Sequence, residues 1–268
     1  MAEPVLIARR PSGVVVVRLN RPERLNALSS ELMDRLHEVW RGLAGEVGLR
    51  AVVLTGEGRG FCSGADTGFL AAERAPRGRD LDDELNFVPG RILEVPVILA
   101  VNGACAGAGL HFVADADIVL AAPAATFVDP HVSVGQVSGV EPPSLALRLP
   151  LPVIARMVLA GAGERLSAQR AYDLGLVTEL VEPDRLVERA VEVAEMIAAA
   201  SPESVRRSRR ALRRVADALE PLMRAGWADV QAHWDHPDAA EGPRAFAEKR
   251  PPAWRDPTAS LDGDSRLS

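Results

Sequence analysis

Ala100-Val-Asn-Gly-Ala-Cys-Ala-Gly-Ala-Gly-Leu-His111 and Arg59-Gly-Phe-Cys-Ser-Gly-Ala-Asp66 are the stretches of this chain best suited to chemistry. Each reads as an apolar strand running into a small-residue turn and then a helix. Small residues let backbone N–H groups point outward at a ligand, and a helix N-terminus adds partial positive charge. Two such turns facing each other make a two-donor hole for an oxyanion. Two histidines stand near them in the sequence: His111 on the first turn of the helix that follows the second stretch, and His131 in Phe127-Val-Asp-Pro-His. An imidazole has an ordinary pKa of about 6.5, so one neutral ring can accept a proton while another donates. If the two are close, they titrate as a coupled pair. The alternative is that both simply fill space.

The hydrophobic pattern supplies elements to aim these turns. Val14 to Leu19, Ala51 to Leu54 and Val97 to Val101 read as buried strands; Ile118 to Leu120, Thr126-Phe127 and Leu176 to Leu180 read as three more. Ser29 or Ser30 caps a helix whose Met33, Leu36, Val39, Trp40 and Leu43 share one face. Further helices read over Leu151 to Leu159, between the Ser167 cap and the Gly175 stop, over Leu186 to Ala199, and onward from Ser201-Pro202. Ala75 to Asp83 is polar, with Pro76 and Gly78, and reads as a mobile surface segment. Strands interleaved with helices predict an α/β fold with largely parallel sheets, followed by a mostly helical second half.

Composition removes several classes of function. The 268 residues suffice for one large domain, or one with an appendage. A net charge of -6 argues against a general nucleic-acid binder. The basic run from Arg206 to Arg214 therefore reads as a solvated or subunit-facing helix, with Val205, Leu212 and Val215 as its apolar positions. Cys62 and Cys105 make no disulfide framework and are expected to be small packing residues in a reducing cytoplasm. Arg9, Arg10 and Pro11 interrupt any leader-like apolar run, and no stretch is apolar for long enough to span a membrane. His233 and His236 have a spacing that could hold a metal, but no further ligand cluster supports them, so no metal is expected.

Taken as a set, and over nearly the whole chain, the motifs resemble the crotonase (enoyl-CoA hydratase/isomerase) superfamily. The resemblance implies an α/β spiral core of β-β-α turns over residues 1–195, followed by a helical trimerisation region over 196–268. It implies an acyl-CoA thioester substrate, no permanently bound cofactor, and trimers or hexamers. Ala65 and Ala108 take the positions of the two N–H donors that hold the thioester oxygen as an enolate forms. Two such turns, with Asn102-Gly103 and Asp117 in place, disfavour a reading as ordinary tight turns. In Asn20-Arg-Pro-Glu-Arg-Leu-Asn-Ala27, Arg24 is placed near the CoA phosphates and Leu25 and Ala27 near the pantetheine or adenine; Asp66 is a further contact. Phe246 and Lys249, in Phe246-Ala-Glu-Lys-Arg250, match a signature that approaches the adenine. The departure lies at His111 and His131, where the family's hydratases carry glutamates; a pair of acid–base groups is what such chemistry needs.

Other residues carry weaker expectations. Glu141, in Ser138-Gly-Val-Glu-Pro-Pro143, lies near a position where some family isomerases and dehalogenases place an acid, but the register puts Gly139 there. Asp129 is expected on the same face as His131 through strand alternation. Asp66 and Asp117 brace turns, and Asp115 is a helix-surface charge. Phe69, Leu70, Phe87 and Phe112 line an acyl pocket or belong to the core. The leading expectation is an enolate-stabilising lyase or isomerase with a histidine pair; an acyl-CoA thioester hydrolase and a non-catalytic acyl-CoA-binding protein are the alternatives.

Overall fold

A computed structural model describes residues 3–66 and 80–255. Phe69, Leu70 and the part of the expected surface segment over 75–79 lie outside the described residues. β1 (Val5–Arg9) and β2 (Val14–Leu19) pair antiparallel. The chain then makes three successive passes, each laying one strand in each of two sheets. β3 (Ala51–Gly56) is followed by β4 (Gly60–Cys62), β5 (Val97–Val101) by β6 (Ala104–Ala106), and β7 (Ile118–Ala121) by β8 (Thr126–Val128). β9 (Leu166–Ser167) and β10 (Glu179–Leu180) complete the edges. The large sheet runs β1-β2-β3-β5-β7-β10 and the small one β4-β6-β8-β9. Pairing within each pass sequence is parallel, with Val52 opposite Val97, Ile98 opposite Ile118 and Cys105 opposite Phe127. The spiral is thus a property of the topology, although no repeat is legible in the sequence.

The large sheet is covered on both faces, which is why its strands read as continuous apolar runs rather than alternating ones. One face meets α1 (Ser30–Ala44) through Leu32, Leu36 and Trp40. Ser29 caps this helix, its hydroxyl accepting from the Leu32 N–H at 3.3 Å. The other face carries Val14, Val16, Val53 and Ile98. Several short helices intervene before that face is covered: α2 (Leu81–Glu84), α3 (Gly109–Asp115), α4 (Glu141–Leu145), α5 (Leu151–Ala160) and α6 (Ala168–Asp173). α7 (Leu186–Ala198) then covers it with Leu186, Ala190, Val191 and Ala194.

Some expectations need correction. The end of the expected surface segment is ordered: Asp80 caps α2 and Leu81 is buried. Leu176 and Val177 are core residues in a turn, and the strand there begins only at Glu179. The basic run on α8 (Pro202–Asp217) is not solvated throughout: Leu212 and Val215 are 69% and 56% exposed, in keeping with a solvated or subunit-facing helix, whereas Arg209 is 6% exposed. Arg209 Nε donates to Asp117 Oδ2 at 2.8 Å, so a charged pair replaces the apolar stripe. Asp115 is no surface charge either; it accepts from the Gly90 N–H at 2.6 Å and pairs with Arg213 at 3.0 Å.

The last helices, α9 (Glu220–His233) and α10 (Pro237–Ala247), close over the loop from His131 to Glu141. α9 meets it glycine to glycine: a Cβ on Gly226 would lie 1.8 Å from the Gly139 carbonyl oxygen. A Cβ on Gly242 of α10 would lie 1.9 Å from the Val134 carbonyl oxygen. His233 Nε2 lies 2.9 Å from the Gly135 carbonyl oxygen, and Gln136 Nε2 donates to the Ala239 carbonyl at 2.9 Å. Because backbone atoms cannot give way as a side-chain end can, Gly226→Ala is expected to destabilise by about 1–3 kcal/mol, less about 1 kcal/mol of helix propensity. Gly163, with open space around its would-be Cβ, is the control. A melting point for Gly226→Ala equal to that of Gly163→Ala would show that the contact is slack.

Candidate active site

The two glycine turns meet. Gly64 and Gly107 both have positive φ, +92° and +50°, in the region that glycine adopts without strain. A Cβ on Gly64 would stand 3.6 Å from the Ala108 nitrogen, and one on Gly107 3.8 Å from the Gly64 Cα. Ala108 immediately precedes α3, so its N–H belongs to a helix N-terminus. Among the described residues neither the Ala65 nor the Ala108 N–H donates to a backbone carbonyl. The Arg24–Leu28 segment runs beside the first turn: the Ser63 N–H donates to the Leu25 carbonyl at 3.0 Å, and Leu28 bridges Ala65. Arg21 pairs with Asp66 at 3.1 Å. Arg24, Leu25, Ala27, Ala65 and Asp66 are therefore brought together, with Arg24 exposed and Ala27 buried. Phe246 and Lys249 stand at and just beyond the end of α10, where Phe246 is exposed.

His111 and His131 converge on a residue that lay outside the expected site. Glu141 begins α4 and is buried. Its Oε1 lies 3.0 Å from His111 Nε2 and 3.6 Å from His131 Nε2. On the far side of His131, Nδ1 lies 2.6 Å from Asp129 Oδ1. Ser138 donates to Asp129 Oδ2 at 2.6 Å, its oxygen 3.4 Å from Glu141 Oε2. Asp129 and His131 are neighbours, though not through strand alternation: β8 ends at Val128, and His131 opens a 3-10 turn after Pro130.

The electrostatics of the cluster are unequal. Burial works against a charged His131, but the Glu141 charge and the Asp129 hydrogen bond and charge outweigh it, raising the imidazole to about 9. Burial likewise works against an ionised Glu141, and the two imidazoles override it, holding the carboxyl well below its usual range. His131 and Glu141 thus form an imidazolium–carboxylate pair at neutral pH. Asp129, His131 and Glu141 offer ligand atoms within 4.8 Å of one another, close enough for a metal ion. The hydrogen bonds joining them already give each carboxylate a partner, and His131 turns its two nitrogens to different carboxylates.

The remaining candidates separate from this centre. Phe87 and Phe112 are buried core, their rings 5.3 Å apart edge to face, and Phe87 also stands 6.2 Å from the His111 ring. Cys62 and Cys105 are buried free thiols; burial pushes the Cys62 thiol up to about 12. Asp117 does brace its turn, accepting from the Val97 N–H at 2.8 Å. His236 caps α10 and His233 holds Gly135, so both act structurally. Among the described residues, no helix is long and apolar enough to cross a membrane.

A mixed α/β spiral whose strands alternate between two sheets is the crotonase fold, and its bearers include enzymes of the lyase and isomerase classes. The chain belongs to the enoyl-CoA hydratase/isomerase family, whose model matches residues 9–257. It is 34% identical over 255 residues to a mevalonyl-coenzyme A hydratase of Aspergillus fumigatus, covering 90% of this chain and 91% of that protein. It is 34% identical to an (E)-benzylidenesuccinyl-CoA hydratase of Thauera aromatica, covering 90% and 95% respectively. A crystal structure of an enoyl-CoA hydratase/isomerase from Mycobacterium paratuberculosis matches with a TM-score of 0.74 at 38% identity, over 94% of this chain and 98% of that one.

Proposed function

We propose that the protein processes an acyl-CoA thioester through an enolate held by the Ala65 and Ala108 N–H groups, with His111 and His131 as the acid–base pair. The observation that carries this reading is the meeting of the two glycine turns beside a buried cluster in which both imidazoles address one carboxylate. The CoA esters in the relatives' names support the substrate class. The cluster suggests the division of labour. His131, held protonated, is the acid. His111 donates its Nε2–H to Glu141, which in the neutral ring leaves the Nδ1 lone pair as the base. In the dehydration direction His111 removes the α-proton, charge collects on the thioester oxygen between the two N–H groups, and His131 gives its proton to the departing hydroxyl. Hydration is the reverse.

Around this centre, Arg24, Leu25, Ala27 and Asp66 would contact CoA beside the first turn, and Phe246 and Lys249 its adenine end. No other bound cofactor and no metal is required by these steps. We further infer a core over 1–195 and a helical region over 196–268. The exposed Leu147, Leu151 and Leu159 support burial against further copies in a trimer or hexamer. The buried free thiols fit a reducing cytoplasm. The test is turnover of a panel of acyl-CoAs resolved by mass, with His111→Ala and His131→Ala beside the parent. Gain or loss of one water, reduced about 10²–10⁴-fold in each variant, is the expected result. Release of free CoA would make it a thioester hydrolase, and binding without turnover a carrier.

A further inference from the structure

His111 and His131 address the same oxygen of Glu141, at 3.0 Å and 3.6 Å from their Nε2 atoms. Attraction between opposite charges grows as the distance falls, and only the shorter contact is within hydrogen-bond reach. Glu141 alone would therefore place the positive charge on His111. The positive N-terminus of α3 works against that, but α3 spans only Gly109–Asp115. What separates the two rings is a second carboxylate. Asp129, 1% exposed, lies against His131. Its Oδ1 is 2.6 Å from His131 Nδ1 and also accepts from the His131 backbone N–H at 3.2 Å. One oxygen thus fixes both the ring and the backbone that carries it. Its Oδ2 accepts from Ser138 at 2.6 Å. His111, by contrast, has the Phe87 ring beside it, 6.2 Å away. Charged side chains on the segments packed against the His131 turn are engaged elsewhere. Asp238 of α10 faces His236 and the Arg255 N–H, Glu241 pairs with Arg250, and Glu164 with Arg156.

We propose that Asp129 is the positioning residue that decides which imidazole is the acid: it orients the His131 ring and keeps the resting proton there, leaving His111 free to act as the base. The proposal rests on the acyl-CoA reading. The choice matters because the chemistry is asymmetric. A charge resting on His111 would fill the lone pair that must take the α-proton, and His131 would have no proton for the departing hydroxyl. The Nδ1–H of His131 stays with Asp129 throughout, so the proton it transfers is the one on Nε2. The ring is then left in the tautomer whose Nε2 can take a proton back in the hydration direction. Ser138 occupies Oδ2 and so holds Oδ1 to the ring.

The test is an NMR titration of the histidines beside a pH–rate profile. The chain has five histidines, and His111→Gln and His131→Gln assign the two signals. In the parent at neutral pH, His131 should carry protons on both ring nitrogens and His111 on Nε2 alone. A charge found on His111 instead overturns the proposal with no variant at Asp129 needed. In Asp129→Asn the amide can still donate to Ser138 and accept from His131, so the shape survives and the charge is lost. His131 should then titrate about 1–3 pH units lower than its parent value of about 9. The alkaline limb of kcat should fall with it, at little change in KM. A titration and a limb that both stay in place make Asp129 merely structural and overturn the proposal. A titration that falls while the limb stays removes His131 as the acid, and the proposal with it. A parent that turns over no acyl-CoA overturns the acyl-CoA reading, while the titrations still decide whether Asp129 places the charge.

Discussion

Glu141→Gln is expected to lower kcat by about 10²–10⁴-fold, the range of general acid–base effects, with little change in KM. The substitution keeps the volume of a buried side chain and removes its charge. Two consequences follow from the geometry. The carboxylate oxygen 3.0 Å from His111 Nε2 is what sets that ring's tautomer; an amide can present an N–H there instead. His131 loses the Glu141 charge, the largest influence raising it. In the parent enzyme the protonated His131 persists below about 9, so activity should decline as pH rises through that value. In Glu141→Gln the same limb should move to lower pH. A purely structural Glu141 would lower stability and leave the limb where it is, which is the result that would defeat this account.

The same linkage acts on folding. A histidine raised in the folded state adds stability that is present below its unfolded pKa of about 6.5 and is lost as pH rises through about 9. Glu141 works in the opposite sense. Its carboxyl is held low by the two imidazoles, so its contribution is present above the ordinary carboxylate range and disappears in acid.

Ala108→Pro is the second large effect. Proline removes the N–H and sets its Cδ where the N–H pointed, so it both deletes the donor and narrows the hole; φ -55° already suits it, and at a helix N-terminus a missing donor breaks no helical hydrogen bond. If that N–H holds the developing oxyanion, kcat should fall about 10²–10³-fold at an unchanged melting point. Ala108→Ser keeps the N–H and should stay near the parent rate. Equal rates for the proline and serine variants would take Ala108 out of the mechanism.

Much of the frame was legible because it rests on local signals. β-branched runs gave the central strands, Ser29 and Ser167 announced their helices, and small residues marked both turns. Which charge of the basic helix is buried is not legible from spacing, because amphipathic spacing counts only apolar residues. Arg209 is inward because Asp117 and the Leu93 carbonyl receive it, and neither lies near it in sequence. The place of Glu141 is hidden for the same reason: a carboxylate is kept buried by partners, here His111 and His131, that no local pattern names. One signal was available. A glutamate at the first position of a helix, followed by Pro142 and Pro143, is a favoured helix start, with its negative charge at the positive end of the dipole. The closeness of Asp129 and His131 is legible from their spacing, but a 3-10 turn rather than strand alternation brings them together.

The closure of α9 and α10 over the loop has a consequence for the order of assembly. The contacts that set Gly135 and Gln136 reach across 98 and 103 residues of chain, among the slowest kind to form because long loops must close before they reward anything. During synthesis the strands of the spiral can pair while this loop still lacks its cover. The loop between His131 and Glu141 gains its cover only when the last helices have left the ribosome and docked. A chain halted after α7 would have a sheet covered on both faces and, beside its site, a loop still bare to solvent.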